Sequence, residues 1–277
     1  MRCAVVQMTS GKNVDANLEQ AFTFLTQAAQ QQVQLVVLPE MFACLGVTNQ
    51  HQLATERFTQ DGVIQTLKNW AKQFQFYIVA GSMPLLDQTR HSSNKVLAAS
   101  LVFSPNGEVI NQYNKIHLFD VDVSDEKGRY RESDTFIAGS EPQAVSIDGH
   151  LLGLSVCYDL RFPELYQHYQ ALGCALITVP SAFTYETGRQ HWEILLRARA
   201  IETQSYVLAA NQVGYHEDGR RTWGQSMIIG PTGDVLVAGN NDDTGLLFAD
   251  LDFDLLSEAR SKMPISKHKK LINRKCD

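Results

Sequence analysis

No run of apolar residues in this 277-residue sequence approaches the roughly 18 that crossing a bilayer requires, so nothing points to a membrane partner. The opening MRCAVVQMTSGK holds one arginine and an apolar run that stops at Gln7, too short for the core of a secretory signal. The expectation is a cytoplasmic protein. Positive charge is scarce as well. Against 30 Asp and Glu stand 24 Lys and Arg, a formal charge of −6, whereas nucleic-acid binders usually carry a basic surplus. The one basic cluster, SKHKKLINRK, reads as a solvated tail, with residues from about 262 to 277 peripheral. Cysteine is sparse and unpatterned: Cys3, Cys44, Cys157, Cys174 and Cys276 make an odd number with no Cys-x-x-Cys pair. In a reducing compartment these are free thiols rather than a disulfide framework. No Cys/His pair has the close spacing of a zinc site, and a P-loop and His-Glu-x-x-His are both missing. No metal or organic cofactor is expected.

What the chain does contain is an alternation of strand and helix signals. CAVVQM, LVVLPE and FYIVAGSM are apolar runs of strand length. Between the first two, Leu18, Ala21, Phe22, Leu25, Ala28 and Ala29 recur at helical spacing, with Asp15 as a cap near the start. LAASLVFSPNGEVINQY reads as a hairpin around Pro105-Asn106-Gly107. The second half repeats the grammar. LLGLSVCY, ALITVPSAF, YVLAANQVG and GLLFADLD are strands, Pro163 opens a helix, HWEILLRARAIETQ is another, and SMIIGPTGDVLVAG is a second hairpin. Arg197, Arg199 and Glu202 are expected to form ion pairs on their helix.

The halves also match in letters. SPNGEVI corresponds to GPTGDVL, and LVVLPEMF to ALITVPSAF, in the same order and context. A duplicated β/α unit without a linker predicts one domain over residues 1–277. Its architecture is two mixed sheets face to face with helices outside, an α-β-β-α sandwich. The alternative is a single doubly wound sheet.

Functional side chains collect where strands of α/β proteins end. Glu40 ends one strand, Cys157 ends its counterpart in the other half, and Lys115 follows the first hairpin. A thiol must lose its proton to attack, a carboxylate within reach can take it, and a lysine stabilises the resulting anion. The backbone N–H of Tyr158 would be a second oxyanion donor. Spacing alone leaves this one grouping among several, with plain packing still open for Cys157. A phosphatase loop fails, because Cys-x5-Arg would need arginine where Pro163 stands, and the papain signature is absent. His117 and His191 read as solvated or satisfied histidines.

LVVLPEMF, YNKIHLFD, GRYRES and GLSVCYDLRFPEL, in that order, resemble the signature segments of the nitrilase superfamily of carbon–nitrogen hydrolases, and the resemblance covers essentially the whole chain. It implies the four-layer sandwich, a Glu40–Lys115–Cys157 triad, a supporting Glu132, and a homodimer. HLFDVDV, PSAFTYETGRQHWEILLRARAIETQSYVLAANQ and WGQSMIIGPTG are most similar to the deaminated glutathione amidase branch. The implied reaction is hydrolysis of a primary amide of a small, carboxylate-bearing α-keto substrate, to carboxylate and ammonia through a thioester. Omega-amidase activity on α-ketoglutaramate-like substrates is the alternative; a carbamoylase, a nitrilase or a non-catalytic scaffold ranks lower. For the substrate carboxylate the candidate cation is Arg161, whose competing role is a helical pair with Glu164. Phe183 and Thr187 would contribute a wall and a hydrogen bond.

Overall fold

The computed structural model describes residues 1–89, 94–123 and 128–270; Cys276 and the last part of the basic tail lie outside them. In chain order the first half gives β1 (Arg2–Gln7), α1 (Val14–Gln30), β2 (Leu35–Glu40), α2 (Gln50–Glu56), α3 (Val63–Phe74), β3 (Tyr77–Leu85), β4 (Val96–Phe103) and β5 (Val109–Asn114). Strands β1, β2 and β3 are parallel, and β4 and β5 return antiparallel around the expected Pro105–Gly107 turn. Helix α1 is capped by Asn13, whose side chain accepts from the Asp15 and Ala16 N–H groups. The expected cap, Asp15, instead sits inside the first turn and pairs with Arg57.

A short ribbon of β6 (Asp120–Asp122) and β7 (Arg129–Arg131) follows, and β8 (Phe136–Ile137) lies parallel to β4. The second half gives β9 (Ala144–Ile147), β10 (His150–Leu154), α4 (Pro163–Leu172), β11 (Leu176–Thr178), α5 (Tyr185–Thr203) and β12 (Tyr206–Ala209). A second ribbon, β13 (Val213–Tyr215) and β14 (Arg221–Trp223), precedes β15 (Met227–Ile229), β16 (Val235–Ala238) and β17 (Gly245–Asp250). Helices α6 (Phe253–Lys262) and α7 (Ile265–His268) close the described chain. Pro163 occupies the first position of α4, as expected, where its missing N–H costs nothing. On α5 the expected pairs form: Arg197 with Glu193, and Arg199 with Glu202.

Two mixed sheets result, ordered β17-β1-β2-β3-β4-β5 and β16-β15-β12-β11-β10-β9. Their strands alternate in what they bury, since successive side chains point to opposite faces. Cys3, Val5, Leu35, Val37 and Val79 join a core shared with Leu152, Leu154, Ile177 and Val207 of the second sheet. Their neighbours Ala4, Val6, Val36, Leu38 and Ile78 pack instead on Ala21, Leu25 and Ala28 of α1 and Leu67 and Ala71 of α3. Helix, sheet, sheet and helix are therefore the layers, and β1 and β2 read as continuous apolar runs because both faces are covered.

The duplication is visible as topology. Each sheet has three parallel strands, an antiparallel strand on one flank and a hairpin on the other. The flanking strand of the first sheet, β17, comes from the C-terminal end of the chain. On this map β2 corresponds to β11 and β1 to β10. One expectation is corrected: Cys157 follows β10, so Glu40 and Cys157 do not occupy equivalent strand ends. They meet because the sheets face one another.

The end of β2 depends on Gly81 of β3. A Cβ at Gly81 would lie 1.8 Å from the Pro39 carbonyl oxygen, and both are backbone with no freedom to yield. Gly81→Ala is expected to destabilise the fold by about 1–3 kcal/mol, read as a lowered melting temperature. An unchanged melting curve would show that this strand end is loosely held.

Candidate active site

Where the segments after β2, β5 and β10 meet the β6–β7 ribbon, a cavity of about 530 Å³ opens. Its wall takes Glu40, Lys115, Glu132, Cys157, Tyr158, Phe183 and Thr187 from the residues expected at the site. Glu40 is the last residue of β2 and is buried, 5% exposed. Its Oε2 accepts from the Ala182 N–H at 2.8 Å, and its backbone carbonyl accepts from Gln212 Nε2 at 3.0 Å. Lys115 follows β5 and is 1% exposed. Its Nζ donates to Glu40 Oε1 at 2.8 Å and to both oxygens of Glu132, at 3.0 and 2.8 Å. Glu132 opens the 3-10 turn after β7 and also accepts from the Phe119 N–H at 2.6 Å.

Cys157 begins a 3-10 turn, Cys157–Arg161, and its N–H donates to the Pro180 carbonyl at 2.9 Å. Strand pairing ends earlier than the sequence suggests, at Leu154, because the chain must leave the sheet to enter this turn. Cys157 sits at φ +49, a left-handed conformation uncommon for a residue with a Cβ. What fixes the turn is Asp159, fully buried. Its Oδ2 accepts from the Val156 N–H at 2.8 Å and the Tyr113 hydroxyl at 2.7 Å. Its Oδ1 accepts from the His117 N–H at 3.1 Å and lies 2.7 Å from His117 Nδ1. One carboxylate therefore ties the segment carrying Cys157 to the residues on either side of Lys115. In the sequence Asp159 is only a charge after a strand; its partners Tyr113 and His117 lie 46 and 42 residues away and leave no local signal.

Electrostatics sets the resting protonation. Burial alone would lower the Lys115 ammonium, but the Glu132 and Glu40 carboxylates outweigh it and hold it well above its ordinary value. Burial pushes the Glu132 carboxyl up, against the pull of Lys115. Burial also raises the Cys157 thiol well above its ordinary value; the Glu40 carboxylate adds to this and Lys115 opposes it. The thiol is therefore protonated at rest, with a carboxylate positioned to receive its proton.

The expected carboxylate clamp is corrected. Arg161 is not on the cavity wall: its guanidinium lies 5.2 Å from the ring of Phe183 and 5.9 Å from that of Tyr158, one layer behind both. Nor does it pair with Glu164. Its Nη1 is 3.2 Å from His191 Nδ1, and burial together with Arg161 holds His191 below its ordinary value, as a neutral acceptor. The cause is the 3-10 turn, which winds tighter than an α-helix and carries Arg161 round toward α5. His117 is satisfied, as expected, by Asp159 and by stacking on Phe162 at 3.7 Å. The arginines on the wall are Arg129, Arg131 and Arg220, which the sequence reading passed over because ribbon and turn residues look solvated. Among the described residues no cluster of His, Cys, Asp or Glu could hold a metal ion, and no helix is long and apolar enough to cross a membrane.

The family model for carbon-nitrogen hydrolase matches residues 2–261. A deaminated glutathione amidase of Yersinia enterocolitica is 38% identical over 270 residues, covering 98% of this chain and 93% of that protein. Omega-amidase NIT2 of Xenopus tropicalis is 34% identical, covering 97% and 95%. Among solved structures, the NitFhit protein of C. elegans superposes with a TM-score of 0.89 at 34% identity; the match covers 97% of this chain and 65% of that longer one.

Two measurements test the site. With its thiol raised by burial and Glu40, Cys157 should be alkylated by iodoacetamide at a rate that keeps climbing with pH through 9. A plateau reached near pH 7 would mean a preformed thiolate instead. Asp159→Asn replaces one acceptor oxygen with a donor and leaves a buried N–H or hydroxyl unpaired. Its kcat should fall by about 10-fold or more and its stability by about 1–3 kcal/mol; an unaltered kcat would remove Asp159 from any positioning role.

Proposed function

The chain belongs to the carbon–nitrogen hydrolase family and hydrolyses carbon–nitrogen bonds of amides; we propose that Cys157 is its nucleophile and deaminated glutathione its substrate. The observation that carries this reading is the convergence of Cys157, Glu40 and Glu132 on one cavity, with Lys115 Nζ bonded to both carboxylates.

Glu40 takes the Cys157 proton as Sγ bonds to the amide carbon, and the carbonyl electron pair moves onto oxygen. Lys115 Nζ and the Tyr158 N–H hold that oxyanion. On collapse the carbon–nitrogen bond breaks, and Glu40 returns the proton to the departing nitrogen. The expected leaving group is corrected for deaminated glutathione, whose amide nitrogen is substituted: it leaves as the amine of the departing chain, and ammonia is released only from a primary amide. Glu40 then takes a proton from water as it attacks the thioester, and the second collapse frees a carboxylate and the thiol. Glu132 touches no reacting atom in this scheme and keeps Lys115 in place. Phe183 and Thr187 supply a wall and a hydroxyl; Arg161 acts through the Phe183 and Tyr158 rings it backs.

The cavity's volume supports the larger substrate. Sites of 300–1,000 Å³ typically enclose molecules of drug size, and α-ketoglutaramate, with about ten heavy atoms, would fill little of 530 Å³. We read residues 1–277 as one domain, since the core is continuous across both sheets. The homodimer remains our reading too, supported by Ile194 and Ile201, seven residues apart on α5, and by Val235 and Leu236, all exposed. The free, buried Cys3, Cys44 and Cys174 suit a cytoplasmic setting.

Turnover of four amides tests the assignment: deaminated glutathione, α-ketoglutaramate, succinamate and an N-carbamoyl amino acid, each followed by appearance of its acid product. Deaminated glutathione should show the highest kcat/KM, and Cys157→Ala should cost at least about 10⁴-fold on every substrate while keeping the wild-type melting temperature. Comparable rates on all four would defeat the substrate assignment. Activity surviving in Cys157→Ala would defeat the mechanism.

A further inference from the structure

Three aromatic rings on the cavity wall lead away from the nucleophile. Tyr158, next to Cys157, packs edge-on against Phe119 at 5.0 Å, and Phe119 packs against Tyr130 at 5.2 Å. At the far end the guanidinium of Arg220 lies 5.4 Å from the centre of the Tyr130 ring and also borders the cavity. An apolar track thus ends in a cation. Arg220 comes from the turn between β13 and β14, and Asp218 sets that turn by accepting from the Arg220 N–H at 3.1 Å. Asp218 Oδ2 also approaches Arg220 Nη2, at a long 3.4 Å. The Nε on that same edge is buried and has no hydrogen-bond partner.

A buried donor without an acceptor costs free energy, and native proteins rarely carry one without a reason. A substrate carboxylate is the group that would relieve it, because its two oxygens match the Nε/Nη2 edge in a two-bond fork, in place of the long Asp218 contact. We propose that Arg220 forms a subsite for a carboxylate carried by the substrate several bonds from the scissile amide, with Tyr158, Phe119 and Tyr130 lining the path between. This rests on the amidase reading above and narrows it, because a short keto-amide bound at Cys157 does not extend along three ring widths. The subsite selects amides whose departing or acyl chain ends in a carboxylate, as a peptide does.

The test is equilibrium binding by calorimetry to Cys157→Ala protein, which does not turn over. The probes are an α-ketoglutaryl dipeptide with a free C-terminal carboxylate and the same compound ending in a carboxamide. The acid should bind about 10- to 100-fold more tightly than the carboxamide, the range expected for hydrogen bonds between charged groups. Adding Arg220→Gln should bring the two affinities within about twofold of each other, whereas Arg220→Lys, a point charge without the fork, should keep an intermediate preference. Equal affinities in the Cys157→Ala protein, failure of both probes to bind, or a preference that persists in the glutamine variant would overturn the subsite. If the glutamine variant does not fold, the lysine variant decides, and an undiminished preference there also overturns it. Turnover of the two compounds by the unmutated enzyme is a separate arm: its absence would sink the amidase reading while leaving the binding ratio to judge Arg220.

Discussion

A buried ammonium between two carboxylates organises this molecule. Lys115 Nζ holds Glu40 from the end of β2 and Glu132 from the turn after β7, so three distant segments meet at one atom. Each contact taken singly is a buried ion pair, whose attraction barely repays the loss of hydration. Together, with the Ala182 N–H on the second oxygen of Glu40 and the Phe119 N–H adding to Glu132 Oε2, the pairs are complete. Taking away the lysine would leave two buried carboxylates facing each other, a cost no neighbouring group could absorb. The arrangement is therefore all-or-none, and it positions the proposed base, Glu40, and the cation in the same act.

Cys157, the proposed nucleophile, needs separate fixing, because its left-handed backbone is not one that cysteine adopts unaided. Asp159 supplies it by bonding at once to the Val156 N–H, one residue before Cys157, and to Tyr113 and His117, two residues either side of Lys115. Arg199 adds a brace from α5, donating from Nε to the Leu160 carbonyl at 3.0 Å. The thiol's place relative to the lysine is thus set by charged hydrogen bonds within the protein rather than by the sheets alone.

How much of this is legible in the sequence depends on the range of the cause. The strands of both halves are readable because an apolar run records burial on both faces, and the α4 start because Pro163 acts on its own backbone. The duplication is readable where turn chemistry repeats, at Pro105–Gly107 and Pro231–Gly233. Glu40, Lys115 and Cys157 stand out at strand ends, but only the resemblance adds Glu132 and joins the four; nothing in their spacing of 75, 17 and 25 residues says that they converge. Arg161 shows the limit most clearly. A helical wheel would turn it toward the ligand, but a tighter 3-10 turn sends it to His191, and one residue's difference in winding decides which cation the substrate meets. Arg220 is hidden for the opposite reason, since a charged residue in an Asp-Gly-Arg turn looks like solvated surface until the turn is seen folded against the cavity.

The proposed chemistry, with Cys157 as nucleophile and Glu40 as base, would also explain why the site tolerates so much buried charge. Ionising Cys157 alone would place a thiolate in a region where burial already opposes it. Passing the proton to Glu40 avoids that, because the negative charge only moves from carboxylate oxygen to sulfur, and the net charge around Lys115 stays the same. When sulfur attacks, the charge moves again, onto the carbonyl oxygen, and collapse returns it once more to the Glu40 carboxylate. At each stage one negative group leaves the ammonium's side as another forms, while Glu132 keeps its hydrogen bonds to Nζ. Little reorganisation of the surroundings is then required, which is what electrostatic preorganisation means in a dry site. A lysine paired with one carboxylate alone would have to follow the migrating charge; the second carboxylate, bonded to Nζ through both oxygens, gives the ammonium a fixed partner while the first acts as a base.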